Sequence, residues 1–485
     1  MNAPLRRAAM AALALFGLLF VNVNYLQVVQ AEELRNNSLN RRALVQQYRR
    51  ERGQIVAGGQ ALASSVETKG RLKFLRTYPP ATSPAFAHVV GWFPVFGGAT
   101  GIEQSRDQVL SGDDSRLFVR RLSDILTGRS PQGGTVHLTV VPQLQLRAHQ
   151  LLQGKRGAIV ALDPRTGAVL AMVSVPSFNP NPLVSHDAVK ANRAYQALAD
   201  ERFDPLLNRG AQQTYPPGST FKVVVAAAAL ESGRFKPDTL VPSPRVLDLP
   251  LTTATIGNFG DSTCGGDKIP LSRALQISCN TSFAALGMNL GGTALRAQAE
   301  DFGFDTEPQL EISAATSRFP DDLNAPQTAQ SAIGQYDVRA TPLQMAQVAS
   351  AVANDGVLMR PYLVERTEAP NLEPLDTANP RTFRRSVSSG TANALTAMME
   401  AVVTGGTGRR AAVPGVRVAG KTGTAQRGTN TGSHAWFIGF APVESPRIAL
   451  AVLVEGGSAG DAATGGRVAA PIAGELFRLA LEVLK

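Results

Sequence analysis

Residues 8–29 are almost continuously apolar, broken by Asn22, Asn24 and Gln27 and preceded by Arg6 and Arg7. A run of that length spans a bilayer as a helix, so 1–30 reads as a cytoplasmic tip and membrane anchor. A cleaved signal peptide competes, because Val29-Gln30-Ala31 resembles a small-residue cleavage site. The run exceeds an ordinary signal-peptide core, which favours the retained anchor. Charge leaves its orientation open: Arg6 and Arg7 argue for a cytoplasmic N-terminus, while Arg35, Arg41, Arg42 and Arg49 pull the other way.

Beyond a polar, basic stretch at 36–52, short apolar pieces alternate with Gly, Ser and Pro. Val89-Val90-Gly91-Trp92 and Gly98-Ala99-Thr100-Gly101-Ile102-Glu103 lie here and read as strands and turns of a small accessory domain, 31–154. The pattern changes at 155. Two apolar runs, 157–163 and 167–175, flank Pro164-Arg165-Thr166 and predict a buried hairpin. Helical spacing follows at 219–230, 272–290, 341–354 and 389–403. Strand signals return at 416–426, 435–441 and 448–454, and an amphipathic helix is expected at 471–484. Residues 155–485 therefore form one large α/β domain whose sheet gathers sequence-distant strands.

The chain has 485 residues, 44% hydrophobic and 18% charged, which excludes a disordered protein. Its net charge is +10, and the first 80 residues hold twelve Arg and Lys against four Asp and Glu. Such a stretch could face an anionic membrane surface or an acidic polymer, but a basic surface that merely keeps a membrane-proximal segment solvated is the favoured reading. No helix-turn-helix, zinc-finger or aromatic-basic motif accompanies it, so nucleic-acid binding is not expected. The five histidines are scattered, and the two cysteines, Cys264 and Cys279, make a poor metal site; no metal is expected. In an exported domain the two thiols could close a disulfide loop worth about 3 kcal/mol; two inert thiols are the alternative.

Chemistry enters with Ser219-Thr220-Phe221-Lys222. One helical turn sets the hydroxyl and the amine on one face, and an amine with a depressed pKa can take the proton of an attacking alcohol without histidine. Nine lysines give roughly half such a match by chance at usual serine abundance, so company decides. Pro216-Pro217-Gly218 makes a rigid turn before Ser219, handing the serine to a helix N-terminus whose free N–H groups favour an oxyanion. An ordinary Ser cap explains the same residues. In Lys421-Thr422-Gly423-Thr424, Gly423 is unusual for a strand unless something approaches its backbone. Lysine and hydroxyls at an open strand edge could hold a peptide carboxylate and amides as an added strand. A second ammonium near Lys222 would also help make it a base. Ser278-Cys279-Asn280 is a weaker signal, since Ser38-Leu39-Asn40 and Ser177-Phe178-Asn179 repeat its pattern. Its place between the other two motifs singles it out.

In this order and at this separation, Ser-x-x-Lys, Ser-x-Asn and Lys-Thr-Gly-Thr resemble the signature of penicillin-binding proteins and serine β-lactamases. Arg52-Gly53-Gln54-Ile55, the 98–103 segment and Gly465-Gly466-Arg467-Val468-Ala469-Ala470-Pro471 resemble class B penicillin-binding proteins, the actinobacterial penicillin-binding protein A group most of all. The resemblance implies a transpeptidase fold: a central antiparallel sheet flanked by helices, a smaller dimerisation or pedestal-like N-terminal domain, and a membrane anchor. It further implies a D,D-transpeptidase of the cell wall, linked to cell division, without metal or organic cofactor. Ser219 would attack the terminal D-Ala-D-Ala bond of a peptidoglycan stem peptide, with Lys222 as general base. Ser278, with Lys421, would relay the proton to the departing amine. Asn280 would hold a donor amide, and Thr422 and Thr424 the terminal carboxylate. The Ser219 and Thr424 N–H groups would form the oxyanion hole, beside Gly423. Lipid-linked precursor or nascent glycan would supply the stem peptides, β-lactams would acylate Ser219, and divisome proteins would be partners. A single-pass topology with the catalytic domain outside the cytoplasmic membrane follows from where that substrate lies. Cys279 sits inside Ser278-Cys279-Asn280, so a bridge to Cys264 would tether a site motif. Rival readings are a D,D-carboxypeptidase, a β-lactamase-like hydrolase, and a non-catalytic sensor or divisome scaffold.

Overall fold

The computed structural model describes residues 2–30, 45, 47–95, 97–117, 132–426, 432–456 and 464–484. The basic stretch expected after the anchor, with Arg35, Arg41 and Arg42, falls largely outside them. Helix α1 (Asn2–Asn24) continues in helical form to Val29. Its Ala3–Val29 stretch has a mean hydropathy of 1.9 and is long and apolar enough to cross a membrane. Its apolar side chains are exposed, Leu13 at 77% and Phe16 at 74%.

The N-terminal segment supplies strands β1 (Ile55–Ala57), β2 (Gln60–Glu67) and β3 (Phe74–Thr77), helix α2 (Ser83–Val90) and strand β4 (Thr135–Leu138). Helix α3 (Pro142–Leu151) then leads to the hairpin β5 (Gly157–Leu162) and β6 (Val169–Val175), as expected around Pro164-Arg165-Thr166. Helix α4 (Lys222–Glu231) follows the turn that carries Ser219. The helix expected at 272–290 is two, α5 (Leu271–Ile277) and α6 (Asn280–Leu290), broken at Ser278. Next come α7 (Pro342–Ala353), strands β7 (Val364–Glu368) and β8 (Pro374–Thr377), and α8 (Ser389–Gly405). Strands β9 (Ala419–Gln426), β10 (Ser433–Ala441) and β11 (Ile448–Val454) and helix α9 (Ala470–Val483) complete the chain. Strand β9 starts three residues later than expected because Val413–Val416 closes a tight turn with Gly415 at φ 75°.

The central sheet is antiparallel, in the order β9-β10-β11-β5-β6. Strand β11 shows why its sequence is apolar throughout: Ala449, Ala451 and Leu453 face one core with α4 and α7. Ile448, Leu450, Val452 and Val454 face the other, with α3 and α9. Both faces are covered, so period-two alternation of polarity vanishes.

Two expectations in the N-terminal region are corrected. Val89 and Val90 end helix α2 rather than forming a strand; Ala85, Phe86, Val89 and Val90 share its buried face, and Gly91 at φ 76° stops it. The 98–103 segment runs into a short helix, Gly101–Ser105. The six-stranded accessory sheet, β8-β7-β4-β1-β2-β3, also draws two strands from beyond residue 360, with β7 antiparallel to β4.

Arg52 and Glu103, recognised separately in the sequence, meet in the interior. The Glu103 carboxylate accepts from Arg52 Nε at 2.7 Å and Arg76 Nε at 2.6 Å, and Arg52 also donates to Asp107 at 2.6 Å. Tyr78 Oη adds a bond at 3.2 Å. Burial pushes the Glu103 carboxyl up, but the Arg76 and Arg52 guanidiniums outweigh it and hold it below its usual range. Breaking such a buried pair from one side strands the other charges. Glu103→Ala should therefore lower stability by about 3–5 kcal/mol, read as a lowered urea midpoint by tryptophan fluorescence. An unchanged midpoint would show that the cluster does not hold the accessory sheet.

Candidate active site

The Ser219 turn is built by close backbone contact. Gly218 has φ 53°, and a Cβ there would lie 2.9 Å from the Thr424 carbonyl oxygen. Gly218 N–H donates to the Gly334 carbonyl at 2.9 Å, and a Cβ on Gly334 would come within 2.1 Å of the Gly218 oxygen. Trp436 Nε1 donates to the Pro216 carbonyl at 3.0 Å and Thr220 Oγ1 to that of Pro217 at 2.7 Å. Ser219 was expected to open a helix; it lies instead in a 3₁₀ turn, Gly218–Thr220, and α4 begins at Lys222. The double proline and the fixed Gly218 tighten this first turn. Gly423 has the reason its oddity demanded: a Cβ would meet the Pro217 carbonyl and the Thr220 methyl at 2.9 Å. What approaches its backbone is the Ser219 turn itself.

Helix α4 buries Lys222 completely and β9 does the same for Lys421. Ser278, between α5 and α6, has φ 63° and ψ 40°. This left-handed conformation costs a serine about 1–2 kcal/mol, and its neighbours hold it. Asn258 Oδ1 accepts from the N–H groups of Asn280 at 2.7 Å and Thr281 at 3.2 Å. Cys264 and Cys279 are disulfide-bonded, with Cα atoms 5.9 Å apart, as the exported reading expected. The bend turns Ser278 toward both lysines. Lys222 Nζ donates to the Ser278 carbonyl at 2.8 Å and to Asn280 Oδ1 at 2.7 Å, and it lies 3.3 Å from Ser278 Oγ. Lys421 Nζ donates to Ser278 Oγ at 2.9 Å and to the Thr422 carbonyl at 2.8 Å.

Burial, then the charge of Lys421, pushes the Lys222 amine well below its ordinary range. Burial also pushes Lys421 down to about 7. Ser219, Ser278, Asn280, Thr422 and Thr424 line one open cavity of about 1270 Å³. The arrangement can therefore deprotonate a serine hydroxyl, pass a proton through Ser278, and seat an anionic peptide end along β9.

Residues 157–478 match the model of the penicillin binding protein transpeptidase domain, and 52–136 that of the penicillin binding protein A dimerisation domain. The chain belongs to the penicillin-binding proteins. It is 47% identical to the peptidoglycan D,D-transpeptidase PbpA of Mycolicibacterium smegmatis, with 97% of each chain covered. Identity to PbpA of Mycobacterium tuberculosis is 43%, over 99% of each. The penicillin G acyl-enzyme complex of penicillin-binding protein A from M. tuberculosis superposes with TM-score 0.84 at 42% identity, covering 89% of this chain and 100% of that one. Its imipenem acyl-enzyme complex gives 0.85 at 42% identity, covering 90% and 100%.

Two supports of this penicillin-binding protein's site escaped the sequence reading. Asn258 carried no signal, because a bracket joining a turn to a helix start shows neither period nor motif. Thr407, whose hydroxyl is 2.6 Å from that of Thr422, stands in Gly405-Gly406-Thr407-Gly408, a glycine run that marks a tight turn. Gly423→Ala should push β9 off the Ser219 turn and cost about 1–3 kcal/mol. Penicillin acylation slowed at least several-fold, with an unchanged circular dichroism spectrum, is the expected result; a wild-type rate would sink the close-approach account.

Proposed function

We propose that the protein is a serine D,D-transpeptidase that cross-links peptidoglycan stem peptides through an acyl-enzyme and is acylated by β-lactams at the same serine. The observation that carries this is the convergence of two buried amines on Ser278 Oγ, beside Ser219 in one cavity. Ser219 Oγ attacks the carbonyl before the terminal D-alanine and gives its proton to neutral Lys222 Nζ. The Ser219 and Thr424 N–H groups receive the developing oxyanion; losing one such donor typically costs about 10²–10³ in rate. The C–N bond breaks as Ser278 Oγ, supplied by the lysines, passes a proton to the departing amine. Thr422 and Thr424, with the Lys421 ammonium, hold the terminal carboxylate, and Asn280 holds a donor amide. An acceptor amine then replaces Ser219 on the acyl carbon.

The chain is read as an anchor at 1–30, an accessory domain at 31–154 and a catalytic domain at 155–485. The accessory domain is the surface for dimerisation or for divisome partners. Helix α1 crosses the cytoplasmic membrane once and leaves the catalytic domain outside, where a Cys264–Cys279 disulfide persists.

Fluorescent penicillin should label the wild type covalently and leave Ser219→Ala unlabelled; a labelled variant would remove Ser219 from its role. The pH dependence is a second test. Lys222 acts as a neutral base, so protonating it at low pH slows acylation, whereas Lys421 acts as an ammonium and loses its charge above about 7. The second-order acylation rate should therefore be bell-shaped, with its falling limb near pH 7. A rate still climbing at pH 9 would contradict the role of Lys421.

A further inference from the structure

The cavity wall beyond Thr422 carries charge that the acylation machinery does not use. Two turns pack together there, Arg409–Ala411 and Gly465–Ala469. A Cβ on Gly466 would lie 2.5 Å from the Thr407 carbonyl oxygen and 3.9 Å from Thr422 Cγ2. Thr407 in turn touches the Thr422 hydroxyl. Arg409, Arg410 and Arg467 are thereby set around one end of the cavity, exposed and lining it. Arg409 donates to the Gly405 carbonyl at 3.2 Å. Among the described residues none of the three has a carboxylate partner. Arg339, which also lines the cavity, lies 3.7 Å from Asp337. Glu455, the one carboxylate among the described lining residues, is taken by Arg209 at 2.9 Å and Arg156 at 3.3 Å.

Surface arginines are usually just solvated, but these three face a concave site, where like charges reinforce and steer an anion. If Thr422 and Thr424 hold the terminal carboxylate of the donor, this end receives the departing amino acid. The acceptor must enter there too, because its nitrogen approaches the acyl carbon from where the leaving nitrogen departed.

We infer that Arg409, Arg410 and Arg467 form the acceptor-docking rim, selecting an amine whose own carbon bears a free carboxylate. The inference rests on the transpeptidase reading. In the step it serves, the acceptor nitrogen forms a C–N bond to the acyl carbon and the Ser219 C–O bond breaks. The amine proton returns to Ser219 Oγ through the lysine base. The three arginines draw the acceptor carboxylate toward the seat on Thr422 and Thr424 that the departing amino acid vacates, and they take no proton.

The test uses the full chain in detergent, a thioester donor, and D-alanine or D-alaninamide as acceptor. The ratio of aminolysis to hydrolysis is measured for wild type and for the triple variant Arg409→Gln, Arg410→Gln, Arg467→Gln. Comparing the two proteins cancels the intrinsic reactivity of each amine. Three exposed carboxylate contacts of ordinary strength predict that the variant loses about tenfold of the wild-type preference for D-alanine. Added salt should shrink that preference in the wild type alone. Hydrolysis of the acyl-enzyme without acceptor, a step that involves no free carboxylate, should be unchanged in the variant. A variant with the wild-type preference overturns the inference. So does one in which acyl-enzyme hydrolysis and both aminolysis reactions fall together, since the arginines would then be structural. Labelling of Ser219→Ala would instead sink the underlying reading.

Discussion

Two amines buried against one hydroxyl are an expensive arrangement. A buried ammonium costs several kcal/mol even after relaxation, and among the described residues neither Lys222 nor Lys421 has a carboxylate to offset it. Burial pushes both amines below their ordinary range instead, and Lys222, with Lys421 beside it, furthest. The surrounding scaffold keeps the two from moving apart. The α4 core, with Val223 to Ala227 at 0% exposure, fixes one amine, and β9, paired along its length to β10, fixes the other. The bend at Ser278 brings the hydroxyl between them. Glycines at 218, 334 and 423 let three backbone segments meet where any side chain would wedge them apart.

Much of this was legible in the sequence. The strands of the central sheet announced themselves because both faces are buried, which leaves long apolar runs such as Ile448 to Val454. The order of Ser219-Thr220-Phe221-Lys222, Ser278-Cys279-Asn280 and Lys421-Thr422-Gly423-Thr424 named residues that the fold gathers into one cavity. Other features had no local signature. A serine in the left-handed region looks like any serine in a helical stretch, so the break between α5 and α6 was hidden. Val89 and Val90 are β-branched and suggested a strand, but their packing with Phe86 in a helix prevailed over propensity. The 3₁₀ form of the Ser219 turn depends on Gly334, more than a hundred residues away.

The disulfide and Asn258 do related work on the α6 side of the Ser278 bend. Asn258 accepts two backbone N–H groups at the start of α6, while Cys279 is tied covalently to Cys264. A strained residue persists only where its surroundings over-determine it, and here a polar bracket and a covalent one do so together. The position of the hydroxyl between the lysines thus depends on a loop, 257–264, that contributes no group to proton transfer.

The accessory sheet has a consequence for how the molecule comes into being. Its strand β4 lies between β1 and β7, yet β7 is made only after most of the catalytic region has left the ribosome. Until then one edge of β4 presents unpaired N–H and C=O groups, a template for wrong partners. Such long-range pairing is slow to form and exposed while it waits. The N-terminal unit therefore cannot reach its final form during early synthesis, and the growing chain needs its open edge guarded until Val364–Glu368 arrives to close it.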